Sequence, residues 1–224
     1  MTLEERTIGG LHDFLMGTVV SRHIARGGRA VDLGAGSGVF ALRLRDEWGM
    51  NVLAADQCVP NGRPPVEFTT VDLNSAHFSE TIGPGLFDLV TAIEVIEHIE
   101  SPIGFLRGIG KLLKPSGLSI VTTPNVDNLP ARLKFLLKGR LRMLDVLSDP
   151  THITPIFLDL FQRQYLRAAG LQLVERRVFP PDGFKVTRQP MATVLRLTAK
   201  LLPGEGLLGD NHVFVMQRRE EVSS

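Results

Sequence analysis

Five residues, Gly34-Ala35-Gly36-Ser37-Gly38, limit what this chain can become more than any others do. Before them stands the apolar run Ala30-Val31-Asp32-Leu33; after them Val39, Phe40, Leu42 and Leu44 recur at helical spacing. The reading is a strand that turns sharply into a helix. Glycine has no Cβ, so such a turn can bend tightly and let a ligand lie against the backbone.

The same alternation runs along the rest of the chain. A helical period spans Ile8 to about Arg26, and Gly27-Gly28 stops it. Buried-type strands are expected at 51–55, 66–71, 87–93 and 118–122, with a turn-rich loop at 59–65. Ser101 and Pro102 read as N-cap and first position of a helix that Lys114-Pro115-Ser116-Gly117 closes. Thr154-Pro155 starts another helix, Gly170 ends it, and 171–179 and 212–217 complete the strands. Strands alternating with helices imply an α/β domain with a doubly wound, mostly parallel sheet and helices on both faces. At 224 residues the chain suits one domain, 1–224. Asp32, Asp56, Asp72 and Glu94 all fall at the expected carboxyl ends of strands, the edge where such sheets bind ligands.

A dinucleotide fingerprint, G-x-G-x-x-G/A, needs a small residue where Val39 stands. Asp32 would also repel a pyrophosphate, whereas a cationic ligand tolerates it. A nicotinamide dehydrogenase is therefore disfavoured. The net charge of +1 argues against a global grip on nucleic acid, and the few aromatics supply no base-stacking platform. Cys58 is the one cysteine, which excludes a disulfide framework. The start, Met1 to Arg6, lacks the pattern of a secretory leader, and no apolar run is long enough to span a bilayer. A cytoplasmic protein is expected.

Asp32-x-Gly34-x-Gly36-x-Gly38, followed by Asp56, Val71-Asp72-Leu73, Phe87-Asp88-Leu89-Val90, Glu94-Val95-Ile96-Glu97-His98 and Thr122-Thr123-Pro124-Asn125, resembles the class I S-adenosylmethionine-dependent methyltransferases. The resemblance implies a seven-stranded Rossmann-like sheet over residues 28 to 180. It implies that Asp56 takes the ribose hydroxyls, that Asp72 and Leu73 meet the adenine, and that Gly34 to Gly38 lie under the methionine. Asp32, Ala35, Gln57 and Ala92 join that expected cofactor set.

Methyl transfer needs an aligned acceptor and, for a hydroxyl, a base. If residues 94–98 are helical, Glu94, Glu97 and His98 share one face. His152 stands before the later helix and is the expected base, with Glu94 and His98 also facing the methyl. Glu94-x-x-Glu97-His98 with a later His152 is similar to metal-dependent O-methyltransferases of quinone biosynthesis and of small RNA. That similarity implies a magnesium or manganese site at Glu94, Glu97, His98 and His152; a bracing or positioning role for the same residues stays open. The acceptor is expected to be a hydroxyl of a quinone-like, sugar or natural-product molecule. An N-, C- or macromolecule methyltransferase, or a non-catalytic binder of the same cofactor, are the alternatives.

Residues 126–150 exceed what strand-helix alternation requires, and Arg132, Lys134, Lys138, Arg140 and Arg142 interleave there with apolar residues. Such a stretch covers a hydrophobic acceptor or lies on a membrane surface. Residues 180–210 contain a second apolar period, suiting another cap or a dimer surface. Monomer and homodimer both stay open.

Overall fold

A computed structural model describes residues 7–59, 65–146 and 148–219. The N-terminal leader question and most of the 59–65 loop lie outside the described residues. Seven strands form one sheet: β1 (Arg29–Leu33), β2 (Asn51–Asp56), β3 (Glu67–Thr70), β4 (Phe87–Ile93), β5 (Leu113–Pro124), β6 (Leu171–Phe179) and β7 (Asn211–Arg218). Their order is β3-β2-β1-β4-β5-β7-β6, and β7 runs antiparallel to both its neighbours. The order reverses between β1 and β4, and a crevice opens there at the carboxyl edge.

Helices cover both faces: α1 (Leu11–Phe14), α2 (Ser21–His23), α3 (Val39–Trp48), α4 (Phe78–Ile82), α5 (Pro102–Leu112), α6 (Leu129–Lys138), α7 (Leu158–Leu160), α8 (Leu166–Ala169) and α9 (Met191–Leu201). A π-helical segment, Leu15–Val20, joins α1 to α2, and Phe161–Tyr165 joins α7 to α8. Two apolar layers result. Phe78, Phe105, Phe161 and Phe214 anchor one; Leu11, Leu15, Phe40 and Leu44 anchor the other. Strands β1 and β4 are buried almost throughout, as a sheet covered on both sides demands.

Several boundaries differ from the sequence reading. The N-terminal helix runs from Leu11 to His23, because Gly10 enters it in a left-handed conformation and Ile24 leaves it extended. Lys114 to Gly117 lie within β5 as a bulge: Leu113 pairs with Phe87, but Leu118 pairs with Leu89. Lys114 spends its charge there on the Asp88 carboxylate, at 2.8 Å. The helix expected from Thr154 begins only at Leu158, where Asp127 Oδ2 accepts the Leu158 N–H at 2.7 Å. Thr154 instead donates its hydroxyl to the Ile99 carbonyl.

Residues 126–150 and 180–210 meet through α6 and α9. Leu129, Leu195, Ala199 and Leu207 form a small core of their own with Phe184. Asn128 caps α6 by accepting the Ala131 N–H. A buried ion pair, Arg142 to Asp210 at 3.1 Å, ties the two segments together, and Arg142 also donates to Asn128 and Thr187. Asn125 holds the loop before β7 by donating to the carbonyls of Gly206 and Leu208.

Candidate functional site

The turn after β1 is held from below. Gly34 and Ala35 donate their N–H groups to the Ala55 carbonyl at 2.8 and 3.1 Å, and Gly36 donates to Asp56 Oδ2 at 2.8 Å. Gly34 and Gly36 have φ of 66° and 53°, left-handed values that favour glycine. A Cβ on Gly34 would stand 2.5 Å from Val95 Cγ2, so the turn packs directly on the segment after β4.

Above this turn opens a cavity of about 940 Å³, a size suited to a cofactor together with a small acceptor. Asp32, Gly34, Ala35 and Gly36 form one end of its wall, and Glu94, His98 and His152 also line it. Asp32 is almost fully buried and accepts the Thr91 hydroxyl at 2.7 Å. Burial dominates over that hydrogen bond and raises its pKa to about 7, with the nearby Asp56 pushing the same way. Of the other residues expected at the cofactor, Gly38 caps α3, and Asp56, Gln57 and Asp72 gather at the ends of β2 and β3. Gln57 reaches toward Asp72 at 3.3 Å, and Asp72 accepts the Asn74 N–H. Leu73 is buried beside them. Gly38, Asp56, Gln57, Asp72 and Leu73 lie outside the lining of this cavity, and so does Ala92, which sits inside β4, paired with Leu33 and packed in the core.

The far end of the cavity does not follow the expected helical face. Glu94 has φ of 56°, and the helix after it is a single 3₁₀ turn, Ile96–His98. That left-handed residue swings Glu94 away from Glu97 toward the sheet. There its Oε1 accepts the Thr122 hydroxyl at 3.1 Å and the Asn211 amide. Glu97, His98 and His152 come together instead, with one donor atom from each within 4.8 Å of the others. Glu94 is not in that group.

Each group in the cluster is set in a definite state. His98 Nδ1 lies 3.1 Å from the Thr151 carbonyl, and His152 Nδ1 lies 2.7 Å from the Met143 carbonyl. A carbonyl only accepts, so both rings carry hydrogen on Nδ1, and Nε2 is the nitrogen each ring has left for a ligand. Burial lowers the His98 pKa, which favours the neutral ring, and His152 opposes its charging further. Glu97 is buried, and neither of its carboxyl oxygens has a hydrogen-bond partner. Burial raises its pKa well above the carboxylate range, and Glu94 adds to the rise. Glu94 is itself raised by desolvation, against the hydrogen bonds from Thr122 and Asn211. A buried carboxyl without a partner beside two Nε2 lone pairs is a donor set that a divalent cation fits.

Several wall residues escaped the sequence reading. His12 comes from α1, and its ring lies against Phe40 with centroids 5.0 Å apart and planes tilted at 53°. Met143 and Thr187 come from the two cap segments. Among the described residues, Glu94 and Met143 are the non-glycine residues with positive φ, and both stand at this end of the cavity. Backbone strain of this kind concentrates at functional sites.

Fold and cavity together define a nucleotide-type site at the switch point of a seven-stranded α/β sheet. The chain matches the family described as "Methyltransferase domain" over residues 6–176. It belongs to that family, the class I S-adenosylmethionine-dependent methyltransferases, and it is an enzyme of that class. Its relatives include proteins named ubiquinone biosynthesis O-methyltransferase. The one from Ruegeria pomeroyi is 32% identical over 183 residues, covering 78% of this chain and 71% of that protein. The one from Marinobacter nauticus is 27% identical over 183 residues, covering 78% and 76%. Among solved structures, a SAM-dependent methyltransferase from Archaeoglobus fulgidus aligns with a TM-score of 0.64 at 16% identity, over 93% of both chains. The 1,6-didemethyltoxoflavin-N1-methyltransferase of Burkholderia thailandensis, solved with S-adenosylhomocysteine, aligns with a TM-score of 0.58 at 18% identity, over 95% and 80%. These two likenesses bear on the fold alone. Among the described residues, no helix is long and apolar enough to cross a membrane.

Proposed function

We propose that this enzyme transfers the methyl group of S-adenosylmethionine to a hydroxyl of a small molecule, with a quinone-like ortho-diol the favoured acceptor. The observation that carries the reading is the cluster of Glu97, His98 and His152 at the far end of the same cavity as the Gly34–Gly38 turn. The names of the relatives point the same way. In this reading Asp56 anchors the ribose, Asp72 and Leu73 flank the adenine, and Asp32 faces the cationic end of the cofactor.

A hydroxyl is a poor nucleophile until it loses its proton. Glu97, His98 and His152 would hold a divalent cation, magnesium or manganese, which when bound lowers the pKa of a coordinated hydroxyl. With the cation bound, the His152 Nε2 lone pair would be a ligand; without it, the same nitrogen, left open because Nδ1 faces the Met143 carbonyl, would be the base that takes the hydroxyl proton. Glu94 would stand beside the transfer path, steadied by Thr122 and Asn211. Residues 126–150 and 180–210 would cover the acceptor, with Met143 and Thr187 in its wall.

The test is an assay of the purified chain with S-adenosylmethionine against ortho-diols, single phenols and amines, with manganese and with chelator. Methylation of diols that chelator suppresses supports the reading. Methylation of amines alone would replace it with an N-methyltransferase, and cofactor binding without transfer to any acceptor would favour a non-catalytic binder.

A further inference from the structure

His98 Nδ1 faces two oxygens of one residue. The Thr151 carbonyl lies 3.1 Å from it and the Thr151 hydroxyl 2.9 Å. The same hydroxyl lies 2.5 Å from Asp149 Oδ1, which also accepts the Thr151 N–H at 2.9 Å. This arrangement begins locally. An aspartate readily bonds the backbone N–H two residues on, and Pro150 between them has no N–H to compete. The turn is then pinned across the cluster, because the Glu97 carbonyl accepts the N–H groups of both Ile153 and Thr154 at 3.0 Å. Thr151 and His98, 53 residues apart in the chain, are thereby held against each other.

The supply of hydrogens fixes the direction of these contacts. A hydroxyl has one hydrogen to give and lone pairs with which to accept. The Thr151 hydroxyl and N–H hold the Asp149 carboxyl below its ordinary range, so it is a carboxylate and only accepts. The hydroxyl therefore donates to Asp149 and turns a lone pair to His98, whose Nδ1–H donates to it. The result is a carboxylate–hydroxyl–imidazole chain whose free end is Nε2, the nitrogen left for a ligand. His152 is held differently, with its Nδ1 facing the uncharged Met143 carbonyl at 2.7 Å.

We infer that Asp149 and Thr151 are positioning residues for His98: the hydroxyl keeps the ring hydrogen on Nδ1, passes the influence of the Asp149 charge to the ring, and so aims Nε2 into the cluster with Glu97 and His152. Partners of this kind behind a ligating histidine change metal affinity by about 10- to 100-fold. Asp149 and Thr151 line the cavity and are exposed, which places their effect at the lower end of that range. A charged partner behind one imidazole and an uncharged one behind the other also makes the two histidines unequal, with His98 the anchored member of the pair. For its effect on a cation the inference rests on the cluster proposed above; for the state of the ring it rests on the hydrogen bonds alone.

Two measurements on the full chain test it. Nitrogen NMR of the metal-free, isotope-labelled protein, with His98→Gln to assign the ring, reports which ring nitrogen carries hydrogen. Calorimetric titration with manganese chloride reports cation affinity, and titration with S-adenosylhomocysteine shows that each variant is folded. The wild type should carry the His98 hydrogen on Nδ1. Thr151→Val removes the hydroxyl and keeps the shape; the form with hydrogen on Nε2 should then appear, and manganese affinity should fall about tenfold. Asp149→Asn keeps an acceptor oxygen without the charge and should also weaken manganese binding. Thr151→Ser restores the hydroxyl and should return both readings to those of the wild type, a rescue that a merely space-filling role for Thr151 would not require. Hydrogen on His98 Nε2 in the wild type would overturn the inference. So would a Thr151→Val variant that changes neither reading, or a Thr151→Ser variant that behaves like it while Thr151→Val changes both. A wild type that binds S-adenosylhomocysteine but no manganese would contradict the cation reading instead, and the ring hydrogen in Thr151→Val and Thr151→Ser would then decide the inference by itself.

Discussion

The rings of His98 and His152, 54 residues apart in the chain, meet edge to face with their centroids 4.7 Å apart and their planes at 71°. Each is clamped through Nδ1 by a carbonyl, of Thr151 and Met143 respectively. Two imidazoles held in this way, beside the buried Glu97, bring the cluster's ligand atoms together in one place.

Manganese should therefore raise the melting temperature of the wild-type chain, and chelator should reverse the rise. Glu97→Gln removes the one charged ligand, and the metal-dependent rise should largely vanish. Differential scanning fluorimetry with and without manganese reads both. An equal rise in wild type and variant would place the cation elsewhere.

Asp32 provides a pH dependence whose sign is fixed. Its pKa rises from an ordinary 3.8 to about 7 on folding, so the folded state holds a proton that the unfolded chain gives up. Stability of the free enzyme should fall as pH rises from about 4 to about 7 and then level off. Affinity for the cationic S-adenosylmethionine should move the other way, increasing through about pH 7 as Asp32 ionises. Asp32→Asn should flatten both profiles in urea unfolding and in calorimetric titration.

Gly34→Ala meets two obstacles, the left-handed φ of 66° and the collision with Val95 Cγ2. A loss of about 1–3 kcal/mol is expected, with weaker cofactor binding. Adding Val95→Ala should recover the part due to the collision and leave the backbone part, about 1 kcal/mol. Denaturant melts of the single and double variants separate the two.

Arg142→Ala leaves Asp210 buried without its cation. The expected cost is about 3–5 kcal/mol, read as a lower urea midpoint. Because Asp210 also accepts the N–H groups of Lys185 and Val186, the two cap segments should loosen together. Limited proteolysis within 126–146 and 180–210 would show it.

What the sequence discloses and what it hides follow from distance along the chain. Asp32, Gly34 and Asp56 were legible because a glycine turn after an apolar strand is local chemistry, and the sheet edge follows from strand-helix alternation. The departure at Glu94 was not legible. Five consecutive residues with acids and a histidine at helical spacing look like one face, yet the packing of Val95 on Gly34 and the anchors Thr122 and Asn211 force a left-handed residue there. The late start of the helix at Leu158 depends on a carboxylate 31 residues earlier. Likewise His12 reaches the cavity only because α1 folds back over α3, and Arg142 turned out to be an internal tie rather than a surface cation.

The most direct test of the account follows an isotope-labelled methyl group from S-adenosylmethionine into an ortho-diol acceptor, by mass spectrometry, for wild type and His152→Ala. The account predicts label on an acceptor oxygen in the wild type. In the variant it predicts turnover lower by about a hundredfold or more, with S-adenosylhomocysteine affinity within about twofold. Label arriving on nitrogen or carbon, or full turnover in the variant, would contradict it.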